Sequence, residues 1–244
     1  MEISKRRLLL ISNSTLHGGG YLDHAEAAIR EFLGPPLRLL FVPYALFDRD
    51  AYTGLVRPRL EKMGYGVDSI HEASDEGKVV SEAEALFIGG GNTFRLLQAM
   101  QERSLLGPIR RRVEEGMPYI GASAGSVVAC PTIRTTNDMP IVEPASLEAL
   151  GLIPFQINAH YLDADPASTH MGETREVRLR QFHEENPEPV VGLREGTMLR
   201  VEGSSVVLRG VRPARIFRRG EEPLEVQPGT ALEELLATRW PPAR

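Results

Sequence analysis

Residues 118–130 read Pro118-Tyr-Ile-Gly-Ala-Ser-Ala-Gly-Ser-Val-Val-Ala-Cys130, an apolar strand over Pro118 to Ile120, a turn of small residues, then a helix-capable run from Ser126 to Cys130. A buried strand that turns directly into a helix is a building unit of parallel α/β sheets. The same alternation extends outward from it. Leu8 to Ile11, Leu39 to Val42, Leu86 to Ile88 and Tyr119-Ile120 are short apolar runs of the kind that form strands buried on both faces. Between them, Leu22 to Leu33, Val56 to Met63, Thr93 to Glu102 and Leu106 to Glu115 carry helical patterns bounded by Gly, Pro, Asn or Asp. This βαβα order predicts an α/β fold on a doubly wound, mostly parallel sheet.

After Pro187 the texture changes. Val190-Val191, Met198 to Val201, Val206 to Leu208 and Arg215 to Phe217 are β-prone runs separated by Gly-containing turns, which predicts an antiparallel C-terminal β-hairpin extension. No internal repeat or long linker interrupts the chain, so residues 1–244 are expected to form a single domain.

With 42% hydrophobic residues the chain can bury a core without metals or disulfides. Its 28 basic and 33 acidic side chains give a formal net charge of -5, which argues against nucleic acid as a partner. The single cysteine, Cys130, excludes an internal disulfide and a Cys-x-x-Cys zinc site, so a reducing, cytoplasmic compartment fits best. Lys5-Arg6-Arg7 precede an apolar run of only Leu8 to Ile11, shorter than a signal-peptide core or a membrane span. Neither export nor membrane association is expected. Oligomeric state stays open, a homodimer included.

Gly121-Ala-Ser-Ala-Gly125 is a G-x-S-x-G between strand and helix, the context of a nucleophile elbow with Ser123 as nucleophile. The helix that follows would aim free N–H groups at a bound carbonyl, with Ala124 N–H as one oxyanion donor. The bland alternative is a turn in which Ser123 caps the helix. A second cluster, Gly89-Gly-Gly-Asn-Thr93, also follows a buried strand and precedes a helix, and Gly91 N–H is the candidate second donor. It lacks the Lys-Ser/Thr of a P-loop and completes no G-x-G-x-x-G. His17-Gly-Gly-Gly20 matches the oxyanion loop of many esterases, but it follows the first strand, leaving no room for the strands that an α/β-hydrolase places before it.

Six histidines compete for the role of general base: His17, His24, His71, His160, His170 and His183. His160 ends the apolar strand Phe155 to Asn158 and is expected at the same carboxyl edge of the sheet as Ser123. His24 and His183 lie in helical patterns, and His71 ends an outer strand. Asp163, Asp165 and His170 show no His-Glu-x-x-His spacing, so no metal is expected. The carboxylate that orients the histidine is either Asp138, in the loop Thr135 to Asp138, or Glu195, just beyond the strand Val190 to Leu193. Position alone excludes neither.

The stretch Tyr119 to Ile141 strongly resembles the peptidase E family of α-aspartyl dipeptidases. The resemblance continues in order through Ser12-Asn-Ser-Thr15, Gly89-Gly-Gly-Asn-Thr93, Gln156-Ile-Asn-Ala-His160 and Gly172-Glu-Thr-Arg-Glu176, and loosens over the last hairpins. It implies a fold like class I glutamine amidotransferases (flavodoxin-like) and cofactor-free, serine-type hydrolysis of dipeptides with an N-terminal aspartate, a small peptide substrate. Ser123 is then the nucleophile, His160 the base, and Gly91 and Ala124 the oxyanion donors. Family precedent leaves Asp138 or Glu195 as third member; Glu195 is favoured because it follows a sheet strand. The substrate's side-chain carboxylate calls for a cation. Arg175, opening the helical segment Thr174 to Glu185, is the first choice and Arg134 the second, with an ordinary surface ion pair as the competing role for both.

Two departures bear on the pocket. Ala122 stands where family members carry a bulky aromatic, and His17-Gly-Gly-Gly20 replaces a less glycine-rich loop. Both put the pocket's width in question. The rival inside the resemblance is a cyanophycinase-like hydrolase of aspartyl-arginine polymer, which needs an acidic groove. A non-catalytic binding protein on the same scaffold has to explain Ser123, His160 and Glu195 together. A glutamine amidotransferase would place cysteine where Ser123 stands.

Overall fold

The computed structural model describes residues 5–167, 169 and 171–237. Five parallel strands, β1 (Arg7–Ile11), β2 (Arg38–Val42), β3 (Gly66–Ser69), β4 (Ala85–Ile88) and β5 (Tyr119–Ala122), alternate with helices. These are α1 (Glu26–Leu33), α2 (Arg49–Lys62), α3 (Glu76–Glu82), then α4 (Thr93–Glu102) and α5 (Leu106–Glu114) in succession; the short α6 (Ala124–Val127) follows β5. Beyond it come β6 (Gln156–Asn158), α7 (Arg175–Glu185), β7 (Val190–Gly192), β8 (Thr197–Glu202), β9 (Ser205–Gly210), β10 (Ala214–Phe217) and β11 (Leu224–Val226).

The main sheet has the order β3-β2-β4-β5-β1-β8-β9. Its strands are buried on both sides because their side chains alternate between two apolar clusters. Leu8 and Leu10 enter one with Leu86, Ile88 and Tyr119, while Leu9 and Ile11 enter the other with Phe41, Phe87 and Ile120. Each such side chain taken fully out of water contributes about 1.5–3 kcal/mol, so the run Leu8 to Ile11 is fixed at the centre of the molecule. In the order observed, β4, β5 and β1 are neighbours, and the turns at their carboxyl ends therefore converge.

The hairpin β8–β9 continues the sheet antiparallel to β1. Since β8 occupies that edge, β6 and β7 cannot join it. They pair with each other and form a second sheet, β11-β10-β7-β6. The sequence reading placed the strand before His160 in the same sheet as Ser123; it belongs instead to this smaller sheet, whose carboxyl edge abuts that of β1. Among the described residues no helix is long and apolar enough to cross a membrane.

Candidate active site

The turn after β5 is sharp because its neighbours leave no room for side chains. A Cβ at Gly125 would stand 2.1 Å from the carbonyl oxygen of Ile88 on β4, a backbone atom that cannot move aside. Ser123 N–H donates to Ile11 O at 2.9 Å. The Ser126 hydroxyl lies 2.7 Å from Ile11 O and 2.8 Å from Gly121 O, tying the start of α6 back to the sheet. Ser123 itself is left with φ 51° and ψ -109°, and its side chain caps nothing. Its hydroxyl points to His160, with Oγ 3.0 Å from Nε2.

His160 follows β6 and also has a left-handed backbone, φ 52°. Its Nδ1 lies 2.9 Å from Glu195 Oε1, a residue carried by the turn between β7 and β8. The histidine and glutamate side chains are 44% and 45% exposed, so water screens the field between them. Behind it, burial holds His24 below the ordinary histidine range, against the opposing pull of the Asn13 backbone, Asp23 and Glu195.

Two backbone N–H groups stand without a partner in the turns beside this group. The N–H of Ala124, at the start of α6, and the N–H of Gly91, in the turn after β4, donate to no partner among the described residues. A Cβ at Gly90 would come within 3.1 Å of Ser123 Cβ, which measures how closely the two turns approach.

Asp138, the other candidate orienting carboxylate, is engaged elsewhere. Its Oδ2 accepts from Thr93 N–H at 2.7 Å, from the Thr93 hydroxyl at 2.5 Å and from the Thr136 hydroxyl at 3.1 Å. Asp138 thus caps α4 together with Asn92, whose side chain accepts from Arg95 N–H at 3.0 Å. Arg175 is the first residue of α7, whose N-cap is Thr174. It is partly buried and makes no hydrogen bond or ion pair with any described residue. Burial, and secondarily Arg178, lower its pKa, while the charge of Asp138 opposes them. Arg175 lines a cleft of about 360 Å³ with Arg178, Glu173 and the segment Leu162 to Asp165 that follows His160. Arg134 is exposed and has Glu188 as its charged neighbour, ahead of β7 and so at the opposite end of that strand from Glu195.

His17 sits in an exposed turn. His71 lies in a short 3-10 turn after β3, with Nδ1 2.7 Å from Ser69 Oγ and Nε2 2.9 Å from Asp50 Oδ1. That arrangement mimics a triad, but Ser69 is only 3% exposed and closed to a substrate. His183 is buried in α7 against Phe182. His170 lies outside the described residues. Both oxygens of Asp163 are taken by Arg194, at 2.7 and 2.8 Å. Ala122 is fully buried in the cluster that holds Ile11 and Met198, so it packs the core and does not set the pocket's width.

Sequence reasoning missed Ser12 and Asn13, both fully buried. They stood out only as part of a motif, with nothing local to reveal what they touch.

The chain is similar to known proteins along most of its length. A model of peptidase family S51 matches residues 8–209. Peptidase E of Streptomyces coelicolor is 57% identical over 232 residues, covering 95% of this chain and 96% of its own. A Drosophila melanogaster protein named "Probable alpha-aspartyl dipeptidase" is 48% identical over 236 residues, 96% of this chain and 98% of its own. The crystal structure of a peptidase from an acI-B1 Actinobacterium superposes with a TM-score of 0.68 over 94% of this chain and 96% of its own, at 17% identity, and shares the fold.

Proposed function

Since the chain belongs to peptidase family S51, we propose that Ser123, His160 and Glu195 are the triad of a serine-type dipeptidase that removes N-terminal aspartate from dipeptides. The observation that carries this reading is the continuous chain Ser123 Oγ to His160 Nε2 at 3.0 Å and His160 Nδ1 to Glu195 Oε1 at 2.9 Å.

His160 takes the hydroxyl proton as Ser123 Oγ attacks the peptide carbonyl, and Glu195 holds the imidazole in the tautomer that can accept it. The developing oxyanion is received by the N–H groups of Gly91 and Ala124. His160 then returns the proton to the departing amine, leaving an aspartyl ester on Ser123. Water, deprotonated by His160, attacks that ester, and free aspartate and the unbound serine hydroxyl result. Arg175 is the cation for the substrate's side-chain carboxylate, with Asp138 holding the pocket wall. Arg134, on the far side of β7, is the weaker candidate. The lone, buried Cys130 suits a cytoplasmic enzyme acting on soluble peptides.

A hydrolysis panel of Asp-X, Glu-X, Asn-X and N-acetyl-Asp-X, with an aspartyl-arginine polymer as competitor substrate, tests this reading. Turnover of Asp-X alone is the expected result. Equal turnover of Asn-X, or preference for the polymer, overturns it.

A further inference from the structure

The turn leaving β1 touches every part of the proposed triad. Ile11 O accepts from Ser123 N–H at 2.9 Å. Ser12 Oγ accepts from His160 N–H at 3.0 Å and donates to Leu193 O at 2.7 Å. Asn13 Oδ1 accepts from Gly196 N–H at 2.8 Å. Leu193 and Gly196 bracket Glu195, so three consecutive residues hold the nucleophile, the histidine and the carboxylate turn respectively. Ser12 and Asn13 are 0% exposed, and their bonds to His160 and Gly196 span 148 and 183 positions of sequence.

This connection matters because the triad straddles two sheets. Ser123 leaves the seven-stranded sheet, whereas His160 leaves the four-stranded one and Glu195 lies on the turn that joins the two. Nothing within either sheet sets the distance from Oγ to Nε2. His160 also holds φ 52°, a conformation that a residue with a Cβ keeps only when its surroundings impose it. Its N–H bond to Ser12 Oγ is such a restraint. The flanking residues keep their own bonds, Tyr161 N–H to Leu193 O at 2.9 Å and Asn137 Nδ2 to Ala159 O at 2.7 Å, so losing it removes the restraint on the His160 amide itself and lets the imidazole shift off the line between Ser123 and Glu195.

We propose that Ser12 and Asn13 are positioning residues, which set the histidine and glutamate relative to the nucleophile across the boundary between the sheets. The proposal rests on the triad reading above. The competing role is purely structural, in which the two side chains merely satisfy buried backbone groups.

The test measures kcat and KM for Asp-Leu, the rate of fluorophosphonate labelling and the thermal midpoint, for wild type and for Ser12→Ala, Ser12→Thr, Ser12→Cys and Asn13→Ala. Displacing a catalytic group by about an ångström costs on the order of 10²-fold, so Ser12→Ala should lose about that much in kcat while KM changes little. Ser12→Thr, which keeps the oxygen, should recover most of the rate. In a His160→Ala background Ser12→Ala should cause no further loss, because it acts through the histidine. Should Ser12→Ala fail to fold, Ser12→Cys decides: it fills the same space with a poor hydrogen-bonding group and should still slow kcat by about tenfold or more. Wild-type kcat in a folded Ser12→Ala or Ser12→Cys, or an equal further loss in the His160→Ala background, overturns the positioning role. Failure of wild type itself to label would count against the triad reading and leave the two ideas distinguishable.

Discussion

Ser123 and His160, whose side chains meet at 3.0 Å, share a backbone feature rare outside glycine: φ is 51° in one and 52° in the other. Neither value follows from local preference, since such conformations cost a residue with a Cβ about 1–3 kcal/mol each. The molecule holds both ends of its proposed proton-transfer pair in strained geometry, so stability and activity should be separable at these positions.

Ser123→Ala and Ser123→Gly should both abolish hydrolysis of Asp-Leu, because neither supplies the oxygen for the acyl-enzyme. Their stabilities should differ in an unusual direction. An ordinary Ala→Gly change costs about 0.5–1 kcal/mol, but at φ 51° and ψ -109° glycine relieves about 1–3 kcal/mol of strain. Ser123→Gly is therefore expected to be the more stable by about 1 kcal/mol in urea titrations. A Gly variant less stable than the Ala variant would show that Ser123 is not strained, and residual turnover in either would remove it as nucleophile.

The two candidate carboxylates should now separate cleanly. Replacing an orienting carboxylate by its amide costs roughly 10²- to 10⁴-fold in kcat, and with Glu195 45% exposed the lower end is expected for Glu195→Gln. Asp138→Asn weakens the cap on Thr93 and removes the negative charge near Arg175, so it should raise KM and lower stability by about 1 kcal/mol while sparing kcat. A kcat collapse in Asp138→Asn with a mild effect in Glu195→Gln would reassign the role.

How far this site was legible depended on whether each cue was local. Thr93 to Glu102 was read to its true ends, since Asn92 caps it and its apolar positions repeat regularly. The helix read as Val56 to Met63 begins earlier, at Arg49, because Asp48 caps it; Gly54 and Pro58 break the pattern that would have betrayed the first turns. The seven-residue α3 is too short and polar to announce itself. Which sheet β6 joins was not readable at all. Its apolar residues suit either sheet, and the outcome turned on β8 winning the free edge of β1, a competition between distant segments. Ser12 and Asn13 were opaque for the same reason, their partners lying far along the chain.

Acid should weaken the fold through His183. Burial depresses its pKa below the ordinary value near 6.5, against weaker opposing backbone hydrogen bonds. A group depressed on folding binds its proton more readily in the unfolded chain, so its contribution is complete above about pH 6.5 and declines as pH falls towards the folded value. Between pH 7.5 and 5.5 the urea midpoint of wild type should drop, and His183→Leu should flatten that drop whatever its stability at pH 7.5. An unaltered slope in His183→Leu would assign the acid limb to other groups.

Specificity for aspartate is expected to rest on Arg175. It is the arginine of this region left without a hydrogen bond or ion pair to a described residue, whereas Arg178 lies 3.9 Å from Glu173 and Arg194 is engaged by Asp163 and Glu225. Partial burial lowers its pKa but leaves the guanidinium protonated, so it presents to the cleft that follows His160 a charge that Asp138 offsets only through space. An aspartate side chain offers a planar carboxylate that pairs with both arms of the guanidinium, while asparagine supplies one acceptor and a misplaced donor. Such mispairing costs about 2–5 kcal/mol, or roughly 30- to several-thousand-fold in kcat/KM. Arg175→Met should accordingly collapse the preference for Asp-Leu over Asn-Leu, chiefly by slowing Asp-Leu, with little change in the rate of fluorophosphonate labelling at Ser123. Arg134→Met, changed beside Glu188 on the far side of β7, should leave the preference intact. If instead Arg175→Met keeps the wild-type ratio, Arg175 does not read the side chain, and a loss of the ratio in Arg134→Met would move that role to a residue reaching the substrate from the other end of the strand.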